Sequence, residues 1–446
     1  MKYSPLLAVA ISALFIVGCD DDDEPTTQLQ AVHASPDAPL ANVIVNSQAR
    51  WTGVDYAQAS GYASVSEGQT SVQVDVQLPG EAVATVIPQS QFNLSPDLDY
   101  TVMVVGDADG SNNPVEALVV TRPAAGTATS SSLDVQVVHA ATGVGDVNLY
   151  VTGPSDPLGA PLGTLAYKDF TDVLNIPAGQ YRVRLETVTG SAIAFDSGEI
   201  TLSGGSELTI AAVPRADSNS ASPVKLMVMD GSGSSLIYDM AETAEVRVGH
   251  LVDGAPDVDV YVNAAKFAPL DRLMFKEIRG FLDLAADSYD IDIYETGTTS
   301  PTFIDVDGLA VFAGMDYSVY AVGTVSPLNL EPLVVPENRR PVATSAVLNI
   351  THAAANPIAA SVDIYLTENV GIAGSTPALS DVKFKDYANG IYVAAGSYFV
   401  TITVAGQPSV VAIDSAPATL ASGVVYQVVA IDDGAGFNLI VSDTTD

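Results

Sequence analysis

Val135-Gln136-Val137-Val138-His139-Ala140 is a short, mostly apolar run with a polar residue set among its valines, and it closes on histidine. Three other stretches repeat it: Leu29-Gln30-Ala31-Val32-His33-Ala34, Val246-Arg247-Val248-Gly249-His250-Leu251 and Leu348-Asn349-Ile350-Thr351-His352-Ala353. The chain of 446 residues holds four histidines, and each closes one of these runs. They stand 106, 111 and 102 residues apart. Twelve residues beyond the first three histidines come Val45, Val151 and Val262; in the fourth copy Leu366 follows after fourteen. Each lies in a second period-two run, the pattern of a half-buried strand.

The correspondence runs on through each copy. A Gly- or Asp-bearing turn leads into a long strand at 67–76, 178–187, 286–295 and 395–404. A later strand follows at 100–107, 208–215, 317–324 and 426–433, and an apolar run closes each copy at 115–121, 224–230, 330–336 and 437–443. With the less regular middle segments this predicts about seven strands per copy. The expected fold is all-β: four tandem Ig-like or transthyretin-like β-sandwich domains over 29–122, 133–240, 244–337 and 346–446. Polar joints at Arg122–Ser132, Asp239–Glu245 and Pro336–Ser345 predict beads of limited freedom. Asp271 to Phe281 is the one candidate helix.

Residues 1–18 read as a signal peptide. Lys2 supplies a positive start, and Leu6 to Val17 is a 12-residue apolar core, too short to span a bilayer. It runs into Ile16-Val17-Gly18-Cys19, which resembles a bacterial lipobox, and Cys19 is the chain's single cysteine. Lipidation there predicts a mature protein with no free thiol and no disulfide, anchored through its acyl chains, palmitate among them. Asp20-Asp21-Asp22-Asp23-Glu24 follows, and a run of like charge reads as an extended tether over 19–28. The expected location is the bacterial cell envelope, on the inner or outer membrane, periplasmic or surface-exposed.

Apolar residues make up 48% of the chain and charged residues 16%, which argues against disorder. Fifty-three acidic residues against 17 basic ones give a net charge of −36, whose field repels nucleic acid. Aromatics at 7%, together with tandem copies of domain size, argue against a transmembrane barrel.

His33-Ala34-Ser35-Pro36-Asp37-Ala38-Pro39, a D-x-D-x-Y-x strand as at Asp257 to Val262, and the turn Pro177-Ala178-Gly179-Gln180-Tyr181 together resemble the DUF4397 family of bacterial domains of unknown function. Copies two and four lack the Ser-Pro-Asp element. The resemblance implies export and lipid anchoring, and it carries no activity with it.

The candidate chemistry is sparse. His139, His250 and His352 share strand parity with apolar residues and so face the sandwich interior, as a structural histidine tied to the next loop or as a ligand or base. One histidine per copy, with His33 the fourth, makes no multi-histidine metal site. Asp107, Asp109, Ser111 and Asn113 set oxygens at alternating positions around Gly110, which suits Ca²⁺ and suits a tight turn equally. Tyr150, Tyr261 and Tyr365, beside Asn148, Asp259 and Asp363, are expected on an outer sheet face as a surface for a glycan, matrix or envelope-protein ligand, or as cross-strand pairs. No nucleophile elbow, P-loop, dinucleotide fingerprint or zincin motif is present, so a non-enzymatic adhesive or structural role is expected, with a passive periplasmic spacer as the alternative.

Overall fold

The computed structural model describes residues 25–216, 220–434 and 436–445. The expected signal peptide, Cys19 and the acidic run lie outside the described residues. Repeat 1 consists of β1 (Thr26–His33), β2 (Ala41–Val45), β3 (Gln48–Val54), β4 (Gln58–Ala59), β5 (Ala63–Ser66), β6 (Gly68–Gln77), β7 (Val83–Leu94), β8 (Leu98–Val105) and β9 (Glu116–Pro123). Thr26 to Gln28 thus begin the first strand rather than extending the tether, and they pair with β5.

Two sheets form the sandwich. One has the order β4-β1-β8-β9, with β5 also on β1; the other has the order β3-β2-β6-β7. β1 lies inside its sheet and runs parallel to β8, with Leu29 opposite Tyr100 and His33 opposite Val104. An immunoglobulin sandwich starts on an A-B-E-D sheet with its first strand at the edge. The central first strand, parallel to β8, departs from that order, so the repeat is a β-sandwich of another strand arrangement. The same order recurs in the other repeats, whose first strands are Ser132–His139, Ala244–His250 and Ala346–His352. Among the described residues the repeats carry nine, ten, eight and nine strands, more than the seven expected, because edge strands break into short pieces such as β4 and β5.

The expected helix at Asp271–Phe281 is absent. Arg272 and Lys276 take positive φ, which an α-helix excludes. Residues from Ile278 to Leu284 form a strand instead.

Each sandwich has its own core: Leu29, Val43, Val74 and Val102 in repeat 1, Leu133, Leu149, Leu185 and Phe195 in repeat 2, with matching clusters in repeats 3 and 4. Two further apolar layers lie between repeats. Val32, Met103, Val105 and Val120 of repeat 1 pack on Val138, Ala211, Val213 and Met227 of repeat 2. Leu251, Tyr320, Val322 and Val335 of repeat 3 pack on Ala353, Val429 and Ile431 of repeat 4. These residues occupy the outer faces of the histidine-bearing sheets. The repeats are therefore two face-to-face pairs, 1 with 2 and 3 with 4, and not beads. The cause is visible in the strands: Tyr100-Thr101-Val102-Met103-Val104-Val105 and its counterparts are apolar at both parities, as a strand covered on both faces must be.

Candidate functional site

Strand parity turns each histidine inward from its first strand, toward the start of the following loop. His33 Nε2 donates to the Pro39 carbonyl at 3.0 Å, and its Nδ1 accepts from the Ser35 N–H at 3.3 Å. His139 makes the same pair with Gly145 and Ala141, His250 with Pro256 and Val252, and His352 with Ala359 and Ala354. One nitrogen donates and the other accepts, which defines the neutral ring. Burial lowers all four pKa values, helped at His33 by the charge of Arg340; His33 falls to about 4. Each histidine is a brace for the loop that follows it, with no nitrogen left for a metal.

An aromatic ring meets the edge of three of these imidazoles: Tyr56, Tyr167 and Phe275, with centroids 6.2 to 6.4 Å away. The ring begins a triplet that the histidine count alone does not reveal: Tyr167-Lys168-Asp169, Phe275-Lys276-Glu277 and Phe384-Lys385-Asp386. The lysines sit in the left-handed region, and their N–H groups donate to the histidine carbonyls at 2.7 to 2.8 Å. That turn aims each lysine across the pair. Lys168 reaches Glu116 of repeat 1, Lys276 reaches Asp433 of repeat 4 and Lys385 reaches Glu331 of repeat 3, all at 2.8 Å. In repeat 1 the triplet is Tyr56-Ala57-Gln58, and Lys225 of repeat 2 lies over the Tyr56 ring instead.

Gln136, Arg247 and Asn349, on the opposite parity from the histidines, would face solvent in an isolated sandwich; all three are buried. Gln136 donates to the Thr121 carbonyl of repeat 1. Arg247 pairs with Glu337 at 3.0 Å, where neither side chain exceeds 4% exposure, and Asn349 of repeat 4 donates to the same carboxylate at 3.2 Å.

The loop proposed for calcium is spent on protein donors. Asp107 is buried; one of its oxygens accepts from Thr142 of repeat 2 at 2.7 Å and the other from Ser111 and Asn112. Asp109 accepts from the Ser111 N–H, and the Asn113 carbonyl accepts from the Asp107 N–H. Among the described residues no three His, Cys, Asp or Glu side chains converge as a metal set.

The tyrosine row is not an open face. Tyr150, Tyr365, Asp259 and Asp363 are buried. Tyr150 donates to Glu186 at 2.9 Å, and Tyr261 stacks edge-on against Tyr294 at 5.1 Å. Asp363 accepts from the N–H groups of Asp381 and Gly406, so it ties two edge segments together. Burial opposes charge on Asp259, yet donors from Lys266, Gly297 and Arg272 outweigh it and hold this carboxyl well below the usual range. These acids anchor turns across the outer sheet.

Two hollows remain. A wholly apolar one of about 50 Å³ lies inside repeat 3, small beside the ~150 Å³ that accommodates benzene. A polar cleft of about 550 Å³ opens where the histidine-end loops of repeats 1 and 2 meet, with Asp37, Asp109, Asn112, Gly143 and Arg215 on its walls. Its size falls within the range of roughly 300–1,000 Å³ usual for small-ligand sites.

A family model described as a domain of unknown function (DUF4397) matches residues 27–150, 133–236 and 244–365. No curated protein matches the chain. Among solved structures, a product complex of SpuA, a multi-modular glycogen-degrading pneumococcal virulence factor, aligns at 8% identity over 85% of this chain and 37% of that one, with a TM-score of 0.16. The chain thus spans little more than a third of that protein, and so slight a likeness bears on neither fold nor function.

Proposed function

We propose, from the premise that this chain belongs to the DUF4397 family of domains of unknown function, that it is a non-enzymatic cell-envelope lipoprotein presenting paired β-sandwich modules for adhesion or for binding a glycan or matrix ligand. The observation that carries the reading is Cys19: the single cysteine of the chain, placed directly behind an apolar core and before a run of acidic residues. An acyl anchor there would hold the modules at a membrane and leave their loops free. With Tyr150 and Tyr365 buried and Tyr261 half-buried against Tyr294, the surface best suited to a ligand is the polar cleft between repeats 1 and 2, which is concave and lined by amide and carboxylate groups.

Metabolic labelling with palmitate and membrane fractionation test the anchor. The wild-type chain takes up label and sediments with membranes, and Cys19→Ser does neither. A Cys19→Ser chain that still sediments in high salt contradicts the reading. Glycan-array and cell-adhesion assays on the whole chain test the ligand, with Asn112→Ala expected to weaken any binding at the cleft.

The pairing of repeats favours a second reading, a passive periplasmic spacer, since locked sandwiches transmit distance without needing a ligand. Protease shaving of intact cells separates the two: digestion supports the adhesive role and protection the spacer.

A further inference from the structure

We infer that the Ser35–Pro39 loop of repeat 1 is a guanidinium seat, filled by Arg340 of the linker between repeats 3 and 4, which clasps the second pair of repeats onto the first. The inference does not depend on lipidation or on any ligand.

The linker carries adjacent arginines, and they part company. Arg339 turns back into its own pair, against Glu245 and Asp316 of repeat 3 and the Thr444 carbonyl of repeat 4. Arg340 leaves that pair. Its Nη1 donates to the carbonyls of Pro36 at 3.1 Å and Ala38 at 2.8 Å. Its Nη2 donates to Asp55 at 2.5 Å and to the Tyr392 hydroxyl of repeat 4 at 3.0 Å. The Tyr56 ring lies 5.7 Å from the guanidinium carbon. Only 9% of the Arg340 side chain stays exposed.

A buried guanidinium is costly unless its fork is filled, and here two carbonyls, a carboxylate and a hydroxyl fill it. The backbone adds a further tie: the Ala343 N–H donates to the Asp37 carbonyl at 2.9 Å. Lysine could not replace this side chain, since a point charge cannot span the two carbonyls and the carboxylate at once.

The seat also accounts for the Ser-Pro-Asp element. Pro36 and Ala38 present their carbonyls outward because the Pro39 carbonyl is held by His33 and the Asp37 carboxylate caps the N–H groups of Ala108 and Asp109. Repeats 2, 3 and 4 all lack the element, repeat 3 having Val252-Asp253-Gly254 in its place, and the other two inter-repeat joints supply no arginine past Arg122, which pairs with Glu207. One seat and one occupant fix which pair closes on which. Pro36, Asp37 and Pro341 also line the cleft between repeats 1 and 2, so the clasp shapes one of its walls.

Amide hydrogen exchange at Asp37 and Ala38 and at the non-proline residues of 338–343 in the whole chain, with small-angle scattering alongside, tests the clasp. Arg340→Ala speeds exchange in both segments by roughly tenfold or more and enlarges the radius of gyration. Added methylguanidinium reverses both changes, because the empty seat accepts it. Asp55→Asn shifts exchange the same way by less, and Arg340→Lys behaves nearly like Arg340→Ala. Should Arg340→Ala unfold the chain, Asp55→Asn decides, and unchanged exchange in that variant overturns the inference. A loosened Arg340→Ala chain that methylguanidinium leaves loosened overturns it as well.

Discussion

The four histidines are the feature most easily mistaken for chemistry. Each is neutral, braced on both nitrogens and enclosed. At His250, replacement by Ala would leave the Pro256 carbonyl and the Val252 N–H without their ring partners. The expected cost is about 1–3 kcal/mol for the polar groups alone, read as a lowered midpoint in urea. The pH dependence has a definite sign. A histidine with a lowered folded pKa binds its proton more readily in the unfolded chain. Its stabilising contribution is therefore full above the unfolded value near 6.5 and is lost as pH falls toward the folded value. For His33 that window runs from about 6.5 down to about 4. Melting temperature should fall across it, and His33→Gln should flatten the fall. Asp107 leads to a further expectation: its oxygens already accept from Thr142, Ser111 and Asn112, so millimolar Ca²⁺ should leave the melting temperature where chelator leaves it.

The joints between elements combine two kinds of charge pair, and they should not weigh the same. Lys276–Asp433 and Lys385–Glu331 are more than a third exposed on every side chain. Removing either lysine should cost less than about 1 kcal/mol. Glu337 is enclosed and held by Arg247, Ser318 and Asn349, so Glu337→Gln, which strips the counter-charge from Arg247, should cost about 3–5 kcal/mol. Urea denaturation of the three variants checks the contrast. How much of this was legible follows from the same strands. Period-two runs and the recurrent histidine reveal the repeats, the inward parity and the sandwich. The pairing was written in those runs as well, in the both-faced apolar character of Tyr100 to Val105 and Leu208 to Val213, but Gln136, Arg247 and Asn349 read as a solvent face because their partners come from another repeat or a distant strand. The tyrosine row misleads for a related reason: alternation tells which face a side chain takes but not whether loops and neighbouring side chains cover that face. Lys168, Lys276 and Lys385 escape notice because their role depends on a left-handed turn, which lysine rarely adopts and no periodicity announces.

Taken whole, the chain is a pair of pairs. Outer sheet faces that an isolated sandwich would show to water are spent on the neighbouring repeat, and the Arg340 clasp joins one pair to the other. A chain with a single cysteine can close no disulfide within itself, and here each core is extended instead by an apolar layer shared with its neighbour. It also means that stability is shared: a change on one repeat's outer face should be felt by two repeats. Met103 tests this most directly, since it is fully buried only because repeat 2 covers it. Scanning calorimetry of the whole chain with Met103→Asp should show repeats 1 and 2 melting together at a markedly lower temperature, with the transition of repeats 3 and 4 little moved. Were the repeats independent beads, Met103 would lie on an open surface, where substitutions stay within about 0.5 kcal/mol, and an unshifted scan would contradict the paired architecture.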